Sequence, residues 1–197
     1  MKRDYTSLAS EDLMSLVTGG DKDAFSCLVS RHQDTVFRLI YRYFGKEEEA
    51  NDLAQEVFLR IWRFSKKYKP TSKFTTWLYT LTANVCKDES QSLWRRNIRL
   101  IGSFWISENN DASAVPIPHA HAPSPEDAAI QAEQGRLVRA AIESLPTNQR
   151  LAVVLRRYEE LSYQEIAVVI GCSVAAVEAL LVRAKANLQK KLLPLEK

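Results

Sequence analysis

Ser162-Tyr-Gln-Glu-Ile-Ala-Val-Val-Ile-Gly-Cys-Ser-Val-Ala-Ala-Val-Glu-Ala-Leu-Leu181 carries two short helices and the turn between them. Ser162 and Glu165 stand at capping-box spacing, the hydroxyl accepting from the third amide while the carboxylate reaches back to the first. Gly171 follows the last apolar residue of the first helix, where the chain needs a residue at ease with positive φ. Ser173 offers the cap of the next helix. Ala167 is small where two crossing helices touch, and Ile166, Ile170, Val177 and Leu180 supply a shared core. This arithmetic predicts a helix-turn-helix whose second helix enters a major groove. An ordinary helical hairpin is the alternative; the agreement of several independent spacings favours the helix-turn-helix.

Outward from this stretch, apolar residues recur at helical period almost everywhere. Phe25, Leu28, Val29, Val36, Leu39, Ile40 and Tyr43 form one stripe, entered through Asp21 as a cap. Leu53, Val57, Ile61 and Phe64 form a second, and Phe74, Trp77, Leu78, Leu81 and Val85 a third. A shorter helix around Leu13, Leu16 and Val17 ends at Gly19-Gly20. Towards the C-terminus one helix runs through Ile130, Val138 and Ile142 to Leu145-Pro146, and another through Leu151, Val154, Leu155 and Tyr158. No segment alternates with period two between turn signals, so the chain is expected to be all-α, with no substantial sheet.

The pattern breaks after Arg96. Asn109-Asn110-Asp111 and the prolines Pro116, Pro118, Pro123 and Pro125 give linker composition, expected to be extended and flexible. His119 and His121 lie there without a third ligand, so they read as solvated rather than metal-binding. The break at Ser124-Pro125-Glu126-Asp127 is sharp: a cap, a proline at the first helical position, then acids that favour the helix dipole. The organisation is therefore two helical modules, residues 1–97 and 126–197, joined by a linker at 98–125. Leu100-Ile-Gly-Ser-Phe-Trp-Ile106 is too apolar for an exposed linker, and Phe104 and Trp105 are expected to be buried against the first module or a partner.

Composition narrows the class. No apolar run approaches the roughly 20 residues of a membrane helix, and the first residues carry no secretory signal, so a cytoplasmic location is expected. Cys27, Cys86 and Cys172 are odd in number and widely spaced, which argues for a reducing compartment rather than a disulfide framework or zinc site. Net charge is only +3, but its distribution is uneven. Glu47, Glu48, Glu49, Asp52 and Glu56 are followed at once by Arg60, Arg63, Lys66, Lys67, Lys69 and Lys73, with no acid among the latter. Adjacent acidic and basic faces suggest two different partners; two solvated helix faces are the plainer reading.

Taken together these pieces resemble the extracytoplasmic-function group of bacterial RNA polymerase sigma factors, over nearly the whole chain except the linker. Asp52-Leu-Ala-Gln-Glu-Val-Phe-Leu-Arg-Ile-Trp-Arg63 resembles the family's polymerase-binding helix. Phe74-Thr-Thr-Trp-Leu-Tyr-Thr-Leu-Thr-Ala-Asn84 resembles its promoter-melting segment. Leu145-Pro-Thr-Asn-Gln-Arg150 and Leu161-Ser-Tyr-Gln-Glu-Ile-Ala167 resemble the start of its upstream-element reader.

The resemblance implies promoter-specific transcription initiation for a stress or envelope-signal regulon. Core RNA polymerase, promoter DNA and an anti-sigma factor are the implied partners. It also implies that Asp52, Gln55 and Glu56 face the polymerase. Lys66, Lys67, Lys69 and Lys73 can neutralise phosphates. Asn84 is the candidate base contact on the melting helix, while Trp77 continues the apolar stripe and reads better as core. Lys87, Arg95 and Arg96 are expected at the duplex backbone. In the recognition helix many relatives carry Thr, Lys, Ser and Arg where this chain has Ala176, Glu178, Ala179 and Leu180. Its remaining DNA candidates are Glu178, Arg183 and Lys185, with Arg156, Arg157, Lys190 and Lys191 as possible neighbours.

No Ser-His-Asp arrangement, phosphate-binding glycine loop or metal cluster appears in the sequence, so neither an enzyme nor a cofactor is expected. A free-standing helix-turn-helix regulator would leave the acidic helix and the 74–84 segment without a task. A helical interaction protein would make the basic run and the capped helix-turn-helix coincidental.

Overall fold

A side-chain cap sets the start of the first long helix. The Asp21 carboxylate accepts from the amides of Asp23 and Ala24, each at 3.0 Å, which satisfies donors that the first turn leaves without intrahelical partners. From there α2 (Lys22–Phe44) runs until Gly45, whose φ of 78° closes it in the left-handed region. It is preceded by α1 (Ser10–Thr18) and followed by α3 (Glu47–Arg63), a 3-10 turn at Ser65–Lys67, and α4 (Phe74–Ile101). The second module holds α5 (Pro125–Glu143), α6 (Thr147–Arg157), α7 (Tyr163–Ile170) and α8 (Val174–Leu192). The computed structural model describes residues 4–69, 73–101 and 125–192, with backbone only for 96–101 and 125–132. Among the described residues there is no strand. Phe104, Trp105, His119 and His121, and with them the readings of the linker, lie outside the described residues.

In the first module α1, α3 and α4 pack around α2. Leu13, Leu28, Leu39, Ile40, Tyr43, Ile61, Phe74 and Leu78 are fully or almost fully buried there. Each such side chain contributes roughly 1.5–3 kcal/mol by leaving water. Two long-range bonds fix the loop between α3 and α4. The Thr18 hydroxyl donates to the Ser65 carbonyl at 3.2 Å, and the Phe74 amide donates to the Glu11 carboxylate at 2.7 Å. Glu11 thus caps α4 from another helix, and that bond holds its carboxyl below the usual range.

The second module packs α6, α7 and α8 around Leu151, Leu155, Ile166 and Val177, all fully buried. The two modules also touch directly, α4 against α7 and α2 against α5 and α6, so one apolar core runs through both.

Three of the apolar residues named along the helices are not buried. Phe64 falls just past α3, with a 39% exposed ring beneath the Lys67 ammonium. Tyr158 caps α6 and stays 37% exposed, while Val138 of α5 is 40% exposed. Helical periodicity predicts burial only while the helix continues and a neighbour covers that face. Helix α4 also continues to Ile101, beyond the break in the sequence pattern at Arg96.

Candidate polymerase and nucleic-acid interfaces

The outer face of α3 bears Asp52 and Gln55, both exposed. Gln55 lines a groove of about 390 Å³ between α2 and α3 with Val29, Gln33, Asp34, Phe37, Asn51, Ala54 and Phe58. Sequence reasoning missed the α2 wall of this groove. Phe37 sits one residue off the buried stripe, next to Val36, and that offset was the available signal. Glu56 behaves differently from Asp52. It accepts from Arg60 Nε at 2.8 Å, and the same guanidinium reaches Asp88 on α4 at 2.8 Å, so Glu56 belongs to a bridge between helices.

Lys66, Lys67, Lys69 and Lys73 are all exposed along the approach to α4. With Arg63, also exposed, they build a positive surface beside the start of that helix. Neutralising Lys66 and Lys67 to alanine is expected to weaken DNA binding on every promoter alike. It should also lower the steepness of log Kd against log salt by about two, as two lost phosphate contacts do. Titrations at several salt concentrations measure this, and an unchanged slope would remove the phosphate assignment. On α4 itself Asn84 is exposed between buried Ala83 and Val85, so its amide points outward. Trp77 instead packs partly buried between Tyr68 and Phe74, ring centroids 5.1 and 6.0 Å away, in agreement with the core reading. Arg95 is exposed, and its Nε donates to the Gln91 carbonyl; the Arg96 side chain lies outside the described ones.

Lys87 departs from a simple DNA contact. Its ammonium donates to the Ile170 carbonyl at 2.8 Å, at the C-terminal end of α7. Burial lowers its pKa, while the carbonyl end of a helix is a favourable place for a cation.

The helix-turn-helix is built as its sequence predicts. Ser162 and Glu165 form the reciprocal capping box. Gly171 takes a φ of 78°, and the Ala176 amide donates to Ser173 Oγ at 3.2 Å. On α8 the residues Ala175, Glu178, Ala179, Val182 and Arg183 are exposed. Lys185 lies elsewhere: two residues along a helix is a turn of about 200°, so Arg183 and Lys185 do not share a face. Lys185 joins Arg156 and Arg157 around a groove of about 910 Å³ between α6 and α8, floored by Val153, Leu181, Leu188 and Leu192. Lys190 and Lys191 are not among its lining residues.

The pattern of the family described as Sigma-70 region 2 matches residues 28–96, and that of Sigma-70, region 4 matches residues 135–188. RNA polymerase sigma-H factor of Pseudomonas aeruginosa is 35% identical over 192 residues, covering 96% of this chain and 97% of its own length. ECF RNA polymerase sigma-E factor of Escherichia coli K12 is 31% identical over 188 residues, covering 95% and 96%. This chain belongs to the extracytoplasmic-function family of RNA polymerase sigma factors.

Two solved structures share the fold of this sigma factor. One is CnrH in complex with the cytosolic domain of CnrY, with a TM-score of 0.65 at 24% identity over 96% of this chain and all of that one. The other is the sigma factor RpoE in complex with the anti-sigma factor NepR from Bartonella quintana, at 0.63 and 21% identity over 87% and 98%. As a member of the family this sigma factor binds core RNA polymerase and promoter DNA and directs transcription initiation. Among its described residues no single helix is long and apolar enough to cross a membrane.

Proposed function

We propose that the two modules divide promoter recognition between them. Residues 1–97 serve core polymerase and the minus-ten element, residues 126–197 serve the minus-thirty-five element, and 98–125 connect them. The observation that supports this most directly is Asn84, an outward-facing amide on α4 whose approach is lined by exposed lysines. An unpaired base needs directional partners, and an amide offers both a donor and an acceptor. Lys66, Lys67, Lys69 and Lys73 neutralise the flanking phosphates, and Arg95 and Arg96 follow the duplex upstream. Asp52 and Gln55 dock on the polymerase beside the α2–α3 groove, with Glu56 holding the face in shape. In the second module Glu178 and Arg183 face DNA.

The polymerase supplies the chemistry of RNA synthesis; this sigma factor supplies recognition and strand-separation energy in the cytoplasm and is not itself an enzyme. An anti-sigma factor is a further partner, by analogy with the NepR complex of its structural relative.

Run-off transcription with purified core polymerase tests the assignment. The wild-type chain is expected to confer promoter-specific transcripts, whereas a free-standing regulator would bind duplex DNA and yield none. Asn84→Ala is expected to slow promoter opening about tenfold, the worth of a lost hydrogen bond to a base. Permanganate reactivity of unpaired thymines reads opening, and closed-complex affinity should change much less. Normal opening by Asn84→Ala would overturn the base contact.

A further inference from the structure

Glu159 lies in the loop between α6 and α7 and was not among the site residues named above, yet its side chain is only 9% exposed. Both its oxygens are used by the other module. Oε1 accepts from Arg42 of α2 at 3.2 Å, and Oε2 accepts from the Tyr79 hydroxyl of α4 at 2.8 Å. The Arg42 guanidinium also lies 4.4 Å over the Tyr158 ring. The loop is held ready for this. Arg156 donates to the Leu161 carbonyl at 2.9 Å, and Glu160 takes a φ of 55°, a left-handed turn that a non-glycine residue adopts at a cost. Elsewhere along the seam Lys87 holds the Ile170 carbonyl, and Arg150 donates to the Tyr43 carbonyl at 3.3 Å while lying 4.8 Å over its ring.

This seam is incompatible with work on a promoter. The minus-ten and minus-thirty-five elements are about 25 base pairs apart by their names, roughly 85 Å at 3.4 Å per pair. Modules whose side chains meet at 2.8 Å do not reach both elements at once. The seam also occupies the melting helix itself, since Tyr79 and Lys87 lie on one face of α4, two turns apart. Asn84 remains exposed beside them.

We propose that Glu159 is a latch that closes the free sigma factor upon itself, occupying Arg42 and Tyr79 and keeping Lys87 from DNA until the modules part. Polymerase and promoter favour the open chain, because only that form spans both elements. A closed fraction lowers apparent DNA affinity in proportion to the open population. The proposal rests on the two-element reading above, whereas closure itself can be measured without DNA.

The experiment uses the full chain without polymerase. Glu159→Arg places like charges at the latch, and Glu160→Arg, one residue along on an exposed position, adds the same charge without touching the seam. Small-angle scattering is expected to give a larger radius of gyration for Glu159→Arg than for wild type or Glu160→Arg. Affinity for a two-element promoter duplex should rise about tenfold over Glu160→Arg if roughly one wild-type chain in ten is open. Arg42→Glu combined with Glu159→Arg should restore compact scattering. Should Glu159→Arg fail to fold by circular dichroism, Tyr79→Phe keeps the ring, removes one latch bond and is expected to expand the chain to a lesser degree. A wild-type chain already extended in solution, or folded latch variants that stay compact, would overturn the latch. Expansion without any gain in DNA affinity would preserve closure and instead refute its inhibitory role.

Discussion

Asp52→Lys combined with Gln55→Ala is expected to weaken binding to core polymerase by an order of magnitude or more, and to abolish run-off transcription at ordinary concentrations. Both side chains lie on the outer face of α3, and Gln55 lines the α2–α3 groove. Reversing a charge at an interface costs more than deleting it, because like charges then meet across a desolvated surface. The fold should be indifferent, since neither side chain is in the core, and the melting temperature should stay within a degree or two. Glu56→Ala is the informative contrast. Glu56 sits in the bridge to Arg60 and Asp88, whose side chains are 26–60% exposed, so the loss is expected to cost only about 0.2–1 kcal/mol of stability. If the double variant binds core polymerase as wild type does, the docking face is elsewhere.

The contrast between Asp52 and Glu56 marks where sequence reasoning stops. Helical period places both on the outer side of α3, because that depends only on local geometry. Which of them is engaged depends on Arg60 and Asp88, and Asp88 comes from a different helix. The same division holds throughout. Asp21, the Ser162–Glu165 box, Gly171 and Ser173 were legible because a cap and its partner lie within four residues of each other. Helix ends blurred the stripes, so Phe64 was placed in the apolar stripe of α3 though it remains on the surface. Least legible was the seam. Arg42 and Glu159 are 117 residues apart, and neither belongs to a motif. Lys87 was noticed for its charge and expected at DNA; the carbonyl it holds in the free chain is fixed by tertiary packing. Sequence thus specified each module well, while the way the two modules meet emerged only from their folded surfaces.

Arg183→Ala is expected to reduce affinity for the upstream element about tenfold, while Lys185→Ala changes it much less. The two basic residues look alike in sequence, yet Lys185 belongs to the α6–α8 groove with Arg156 and Arg157. Arg183 is exposed on a different face of α8, one turn from Ala179. That face offers few donors. Ala175, Ala179 and the 70% exposed Val182 form no hydrogen bonds to bases, and Glu178 repels phosphate unless it accepts from a cytosine amino group. Binding should therefore rest on phosphates and DNA shape, aided by apolar contact with thymine methyls. Each single base change in the element should then cost less than the roughly 1–3 kcal/mol of a good bidentate contact. A saturation scan at fixed salt measures this directly, and several positions above that range would sink the idea. Thymine-to-uracil replacements separate the remaining terms, since they delete only the methyl group. A loss confined to one or two thymines would assign them to the Ala179–Val182 face. A cytosine preference that vanishes in Glu178→Ala would instead mean that the carboxylate reads the base directly.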